Sequence, residues 1–303
     1  MNNQEPIIKK FTDFMLIKGL SQNTQESYFY AINCLARHVK KSPEDINLDE
    51  IQQYILYLIN EKKYANSSCI VHIAAFRMFY KEFLRLDESK FYLPRRIERK
   101  TKPQILSHDE IWQLFDHSYN LKHKTLLITA YSAGLRVSEV VSLKVKDIDS
   151  ERMLIRVEAG KGGKDRYTIL SDFLLGQLRV YWKAFQPKDW LFERRYRPDE
   201  HLCTRTAERI YRDAKERSGI TKKGNMHLLR HSFATHMLES GIDLDSLQKL
   251  LGHSSITSTM KYLHLTSYRL KKIKSPMDTF MKKYHTKLKG NISEHHPRRY
   301  VVR

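Results

Sequence analysis

Residues 225–265 read NMHLLRHSFATHMLESGIDLDSLQKLLGHSSITSTMKYLHL. His227 and Arg230 stand three apart, so on a helix their side chains share one face. Gly241 closes that helix, because glycine adopts the left-handed conformation that ends one. The run LDSLQKLLGH forms a second apolar helix and delivers His253 beside its own stop, Gly252. Nine residues further on, Tyr262 falls within SITSTMKYLHL, a run able to turn as a helix. Two histidines, an arginine and a tyrosine can therefore converge, but this spacing alone names no reaction. Tyr262 is one of 17 tyrosines, and a lone tyrosine on an apolar helix is usually core. His231 and His236 lie on the same helix and are expected to be structural.

Working outward, SAGLRVSEVVSL (132–143) puts Arg136 just after a glycine at the start of a short helix, with Glu139 one turn along. Between the two stretches, RMLIRVEAGKGGKDRYTIL (152–170) reads as two strands joined by a glycine-rich turn that holds Lys161. Taken together, these residues resemble the tyrosine recombinase (phage integrase) family, and the Xer-type site-specific recombinases most closely. The shared pattern is Arg136, the hairpin Lys161, His227 with Arg230, the Leu-Gly-His box ending at His253, and Tyr262, in that order. Each piece is weak alone, whereas their order and spacing together are specific. Lys164 competes for the hairpin role; Lys161 is preferred because it follows Gly160 in the family's Gly-Lys-Gly pattern. Leu263, after the tyrosine, departs from the Thr or Ser usual there.

The resemblance implies a mechanism. Tyr262 attacks the scissile phosphate and forms a 3′-phosphotyrosyl link, which keeps the bond energy so that strands rejoin without ATP. Arg136 and Arg230 grip the non-bridging oxygens, where a planar guanidinium fork suits phosphate better than lysine does. Lys161 protonates the leaving 5′-oxygen, His227 assists proton transfer at the tyrosine, and His253 donates to the phosphoryl group. Glu139 orients Arg136 from behind. The implied activity is site-specific DNA integration, excision or resolution. Two readings stand against it: a type IB topoisomerase that relaxes DNA as a monomer, and a DNA-binding protein that does not cut.

Composition agrees with a polyanionic partner. The chain has 303 residues and a formal charge of +20, with pI near 9.7. Such an excess of Lys and Arg concentrates nucleic acid, or less often an anionic membrane, around a protein. No run of about 18 apolar residues offers a membrane span, and MNNQEPIIKK lacks the apolar core of a signal peptide. The expected location is cytoplasmic and nucleoid-associated. The three cysteines are odd in number and far apart, without metal-type pairing. Neither an Asp/Glu cluster, an HExxH nor a Walker GxxxxGK[ST] is present, so no metal and no cofactor is expected.

In chain order, the apolar stripes of 5–19, 21–41, 48–63 and 66–86 predict four helices with short loops, a small bundle. Its aromatic residues Tyr28, Phe29, Tyr30, Phe76, Phe79 and Tyr80 are expected in the core rather than as stacking platforms for bases. PRRIERKTKP (94–103) sets five cations, Arg95, Arg96, Arg99, Lys100 and Lys102, between two prolines. It reads as an extended linker, either a plain spacer or a strand of cations along the phosphate backbone. Ser107 with Glu110 predicts a capping box. The expected fold is mainly α (α+β). By resemblance, 1–93 is a SAM-like core-binding domain that clamps DNA and 94–103 the linker. Residues 104–270 form the mostly helical catalytic domain with a small antiparallel β-sheet. A basic C-terminal helix and tail occupies 271–303, and from Arg269 to Arg303 eleven Lys/Arg face two acids. Met277, Phe280, Met281, Tyr284 and Leu288 stripe that helix after Ser275 and Pro276. The stripe packs either on its own domain or, as the resemblance implies, on a neighbouring subunit. The implied partners are double-stranded DNA, further copies making a homo-oligomer (a tetramer) on it, and a second recombinase or accessory protein where the system uses one.

Overall fold

The computed structural model describes residues 4–87, 92–94, 104–158, 165–253 and 255–262. The chain divides into two compact units, 1–101 and 102–303.

The first unit is built from four helices, α1 (Gln4–Ile17), α2 (Gln22–Val39), α3 (Leu48–Asn60) and α4 (Asn66–Phe76). Ser21 caps α2 by accepting from the Thr24 amide, and Asn47 and Glu50 form a reciprocal capping box on α3. At α4 Ala65 occupies the cap position and offers no side-chain bond. The helical run also changes pitch, because Arg77–Phe83 continues as a π-helix. Phe11, Met15, Leu35, Ile51, Leu58, Phe76 and Phe79 fill the core, and the buried Tyr80 hydroxyl donates to the Pro43 carbonyl at 2.7 Å. Core packing therefore accounts for Phe76, Phe79, Tyr80 and the half-buried Tyr28. It does not account for Phe29 and Tyr30, which stand exposed on the outer side of α2.

In the second unit, α5 (His108–Asp116) begins at the capping box of Ser107 and Glu110. α6 (Leu121–Ser132) is the central helix: its burial runs through six consecutive residues, Thr125–Ala130. A helix buried on every side over that stretch must be enclosed, and α5, α7 (Val137–Val141), α8 (Asp172–Phe185), α9 (Thr204–Arg217) and α10 (His227–Ser240) all pack on it. A three-stranded antiparallel sheet joins β1 (Ile148–Asp149), β2 (Leu154–Val157) and β3 (Arg166–Ile169), with Val157 opposite Arg166. A second sheet, β4 (Glu193–Arg194) with β5 (Arg197–His201), is an addition to the single sheet region read from the sequence. Its strands are short and mostly charged, so no apolar alternation marks them. α11 (Leu244–Leu251) and α12 (Ile256–Met260) follow α10. Gly241 and Gly252 end α10 and α11 in the left-handed conformation. Tyr262 lies just past the end of α12 rather than within it.

Candidate active site

Arg136 is the N-cap residue of α7, and Glu139 one turn on closes back upon it. The Glu139 carboxylate accepts from the Arg136 backbone amide at 2.7 Å and from Arg136 Nη1 at 2.6 Å. It also receives both arms of Arg166, at 2.7 and 2.8 Å, and a longer bond from Arg230 Nη1 at 3.4 Å. Three guanidinium groups thus surround one carboxylate. Burial would raise the Glu139 carboxyl. The Arg166 hydrogen bonds and charge, the Arg136 amide and the Arg230 charge outweigh it and bring the group down to about 2. Glu139 is therefore ionised at neutral pH, and the cluster retains an excess of positive charge.

Arg230 is almost wholly enclosed, 1% exposed. It survives burial because its donors are used: Nη1 gives to the Gly134 carbonyl at 2.7 Å, and Nη2 gives to Leu251 O at 2.5 Å. Nη2 also lies 3.2 Å from His253 Nε2. A guanidinium can only donate, so His253 Nε2 accepts, and the neutral ring carries its proton on Nδ1. That proton points to Thr259 Oγ1, 2.9 Å away. Burial, then the Arg230, Arg136 and Arg166 charges, hold His253 down to about 4. In this geometry His253 offers a lone pair to Arg230; a phosphoryl oxygen that took a proton from it would first displace that contact.

His227 opens α10 close to Arg230 and Arg136; burial first, then these two charges, lower its pKa. Its ring meets that of His231 edge-on, centroids 5.4 Å apart. Tyr262 is buried among Phe233, Ala234, Leu238, Leu247 and Leu251. Its hydroxyl is 2.9 Å from His231 Nδ1. Burial raises the phenol's pKa, and the Arg230 and Arg136 charges partly offset this.

The structure therefore brings Arg136, Glu139, His227, Arg230, His253 and Tyr262 into one neighbourhood. Lys161, Lys164 and the linker cations Arg95, Arg96, Arg99, Lys100 and Lys102 lie outside the described residues, as does the 271–303 helix. Three participants were not read from the sequence. His231, expected to be structural, bonds the Tyr262 hydroxyl; its spacing of four from His227 already put the two on one face. Arg166 gave no signal, since a charged strand residue ordinarily faces solvent. Thr259 gave none either. His236 keeps a structural place, bonded to the Tyr131 hydroxyl at 2.8 Å and stacked on His108. Among the described residues, no group of three or more His, Cys, Asp or Glu is placed to hold a metal, and no helix is long and apolar enough to cross a membrane.

Comparison with known proteins adds the following. The phage integrase family model matches residues 104–269, and the phage integrase N-terminal SAM-like domain matches residues 7–89. The protein y4qK of Sinorhizobium fredii is 40% identical over 280 residues, covering 90% of this chain and 89% of that one. Tyrosine recombinase XerA of Pyrococcus horikoshii is 32% identical over 267 residues, covering 88% and 91% of the two chains. Among solved structures, a lambda integrase tetramer bound to a Holliday junction superposes with a TM-score of 0.68 at 21% identity, covering 86% of this chain and 78% of that one. At that identity the likeness is one of fold.

Proposed function

The chain belongs to the phage integrase family, with Xer-type tyrosine recombinases among its relatives, and from that premise we propose that it cuts and rejoins DNA at specific sites through Tyr262. The observation that carries this is a buried phenol within the field of Arg230 and Arg136, which with Arg166 share a single carboxylate. Such a site favours a pair of oxygens sharing one negative charge over water, and the non-bridging oxygens of a phosphodiester are such a pair. Arg136, half-buried where Arg230 is enclosed, is the guanidinium that meets the incoming phosphate first.

In this reading the Tyr262 oxygen attacks phosphorus, and a 3′-phosphotyrosyl link forms as the bond to the 5′-oxygen breaks. Arg136 holds the non-bridging oxygens as negative charge builds there, joined by Arg230 as the phosphate displaces His253 from its Nη2. Lys161 gives the leaving oxygen its proton. Attack by a 5′-hydroxyl from another strand reverses the step, so exchange needs neither ATP nor a bound metal. Residues 1–93 clamp one face of the duplex, 94–103 follow the backbone, 104–270 perform the chemistry, and four copies assemble on two duplexes through the 271–303 helix. A homo-tetramer, alone or with a second recombinase, suits the two successive pairs of strand cuts.

Tyr262→Phe removes only the hydroxyl, so the variant keeps half-site binding and loses the covalent adduct on a nicked duplex. An adduct formed by the Phe variant assigns the nucleophile elsewhere.

A further inference from the structure

Tyr262 must lose a proton as it attacks, and the residue placed to receive it is visible. Its hydroxyl makes one hydrogen bond among the described residues, to His231 Nδ1 at 2.9 Å, with the ring centroids 5.6 Å apart. His227 makes no bond to that hydroxyl among the described residues; it stands beyond His231, one turn earlier on α10. The apolar wall of Phe233, Leu238, Leu247 and Leu251 encloses the phenol, so bulk water is a poor acceptor there.

We propose that His231 is a catalytic residue of this site: its Nδ1 takes the phenolic proton of Tyr262 as the oxygen attacks phosphorus, and returns it when the link is reversed. This rests on Tyr262 being the nucleophile. The step balances without a further reactant. The bond from the phenolic oxygen to phosphorus forms and the bond from phosphorus to the 5′-oxygen breaks. The phenolic proton moves to His231, and the leaving oxygen gains one from Lys161.

The groups around His231 fit an acceptor. On its own helix are His227 and Arg230, and from the end of α12 come Lys261 and Tyr262. Burial, then His227, Arg230 and Lys261, keep the imidazole neutral, holding it down to about 4. From α6, Tyr131 bonds His236 rather than His231. A base this weak does not strip a resting phenol, and so does not leave an unprotected phenolate before DNA arrives. Two changes on binding favour the transfer. The phosphate's negative charge offsets the arginines that repel a proton from His231, and the phenolic oxygen loses its basicity as its bond to phosphorus forms.

The test is single-turnover adduct formation on a nicked half-site duplex across pH. In His231→Asn the shorter amide can accept a hydrogen bond but not a proton. We expect half-site binding to persist and the rate to fall by about 10²–10⁴-fold, the usual contribution of a positioned base. The variant's rate should climb with pH where the parent is flat. Substituting 3,5-difluorotyrosine at position 262, a more acidic phenol, should restore much of the loss in the Asn variant and change the parent little. A His231→Asn enzyme with the parental rate and pH profile overturns the proposal, as does a loss the acidic phenol fails to reduce. Should the Asn variant fail to bind the half-site, the parent's acid limb decides: a rate that stays flat well below pH 4 overturns it. An adduct with Tyr262→Phe, by contrast, overturns the underlying choice of nucleophile.

Discussion

Arg166 shows how much of this site depends on a side chain that touches no substrate in the proposed reaction. Both its arms are spent on Glu139, and its Nε donates to Leu250 O at 3.0 Å, two residues before the glycine that precedes His253. It thereby ties strand β3, the Arg136 turn and the His253 loop to one carboxylate. Removing one partner from a buried ion pair leaves the other charge uncompensated, at a cost of about 3–5 kcal/mol. Here Arg136 and Arg230 still contact Glu139, so Arg166→Gln is expected at the low end, about 3 kcal/mol. For a unit of this size that lowers Tm by about 6–12 °C. Cleavage should fall further than half-site binding, because the two phosphate-gripping arginines lose their common anchor. Thermal unfolding alongside single-turnover cleavage checks both. A Gln variant with parental stability would mean that Arg136 and Arg230 alone hold Glu139. At this scale the sequence was uneven. Arg136, His227, Arg230, His253 and Tyr262 were marked by order and spacing. Arg166 was not, since burial of a strand arginine is decided by what packs over it, and that is long-range information.

At the scale of elements, the turn between α6 and α7 fixes where Arg136 points. Gly134 sits there at φ +61°, a conformation that L side chains rarely adopt. Its carbonyl takes the Arg230 Nη1 proton, and a Cβ added to it would lie 2.3 Å from the Phe233 ring. Gly134→Ala therefore combines backbone strain with overpacking between α6 and α10, each worth about 1–3 kcal/mol. We expect a loss on the order of 3 kcal/mol, read from denaturant unfolding, with weaker cleavage because both arginines shift. An Ala variant as stable as the parent would show that Phe233 can rotate away. Elements with their own local signals were legible: the capping box at Ser107, the glycine stops at Gly241 and Gly252, and the β2–β3 hairpin. The β4–β5 sheet was not, because strands of two and five residues rich in charge carry no alternation to read. Phe29 and Tyr30 were misplaced for a related reason, since adjacent aromatics on a helix cannot all face inward. The change to π-helical pitch at Arg77 likewise has no marker in the apolar pattern.

Across the whole molecule, the charge of +20 coexists with histidines held neutral inside the second unit, and the two together set its response to acid. His231, His236 and His253 are each brought from 6.5 to about 4, in every case chiefly by burial. The folded unit therefore binds fewer protons than the unfolded chain between those values, and stability rises with pH through that window. Its contribution is complete above about pH 6.5 and is lost as pH falls toward 4. Glu139 acts in a lower window: its depressed carboxyl stabilises above its ordinary value and that support disappears only as pH falls from about 4.5 toward 2. A full shift of this size corresponds to about 3 kcal/mol per histidine at about 1.4 kcal/mol per pH unit. Partial exposure of the three rings reduces that to about 1–3 kcal/mol each. All three tryptophans, Trp112, Trp182 and Trp190, belong to the second unit, so their emission follows that unit alone within the intact chain. Denaturant unfolding followed by tryptophan emission should show stability falling steadily from pH 6.5 to 4.5. In His236→Asn, which leaves the proposed chemistry untouched, the slope should shrink but persist, because His123 and His227 are lowered in this unit as well. A stability that is flat across this range, or an Asn variant with the parental slope, would show that these rings titrate as they do in water.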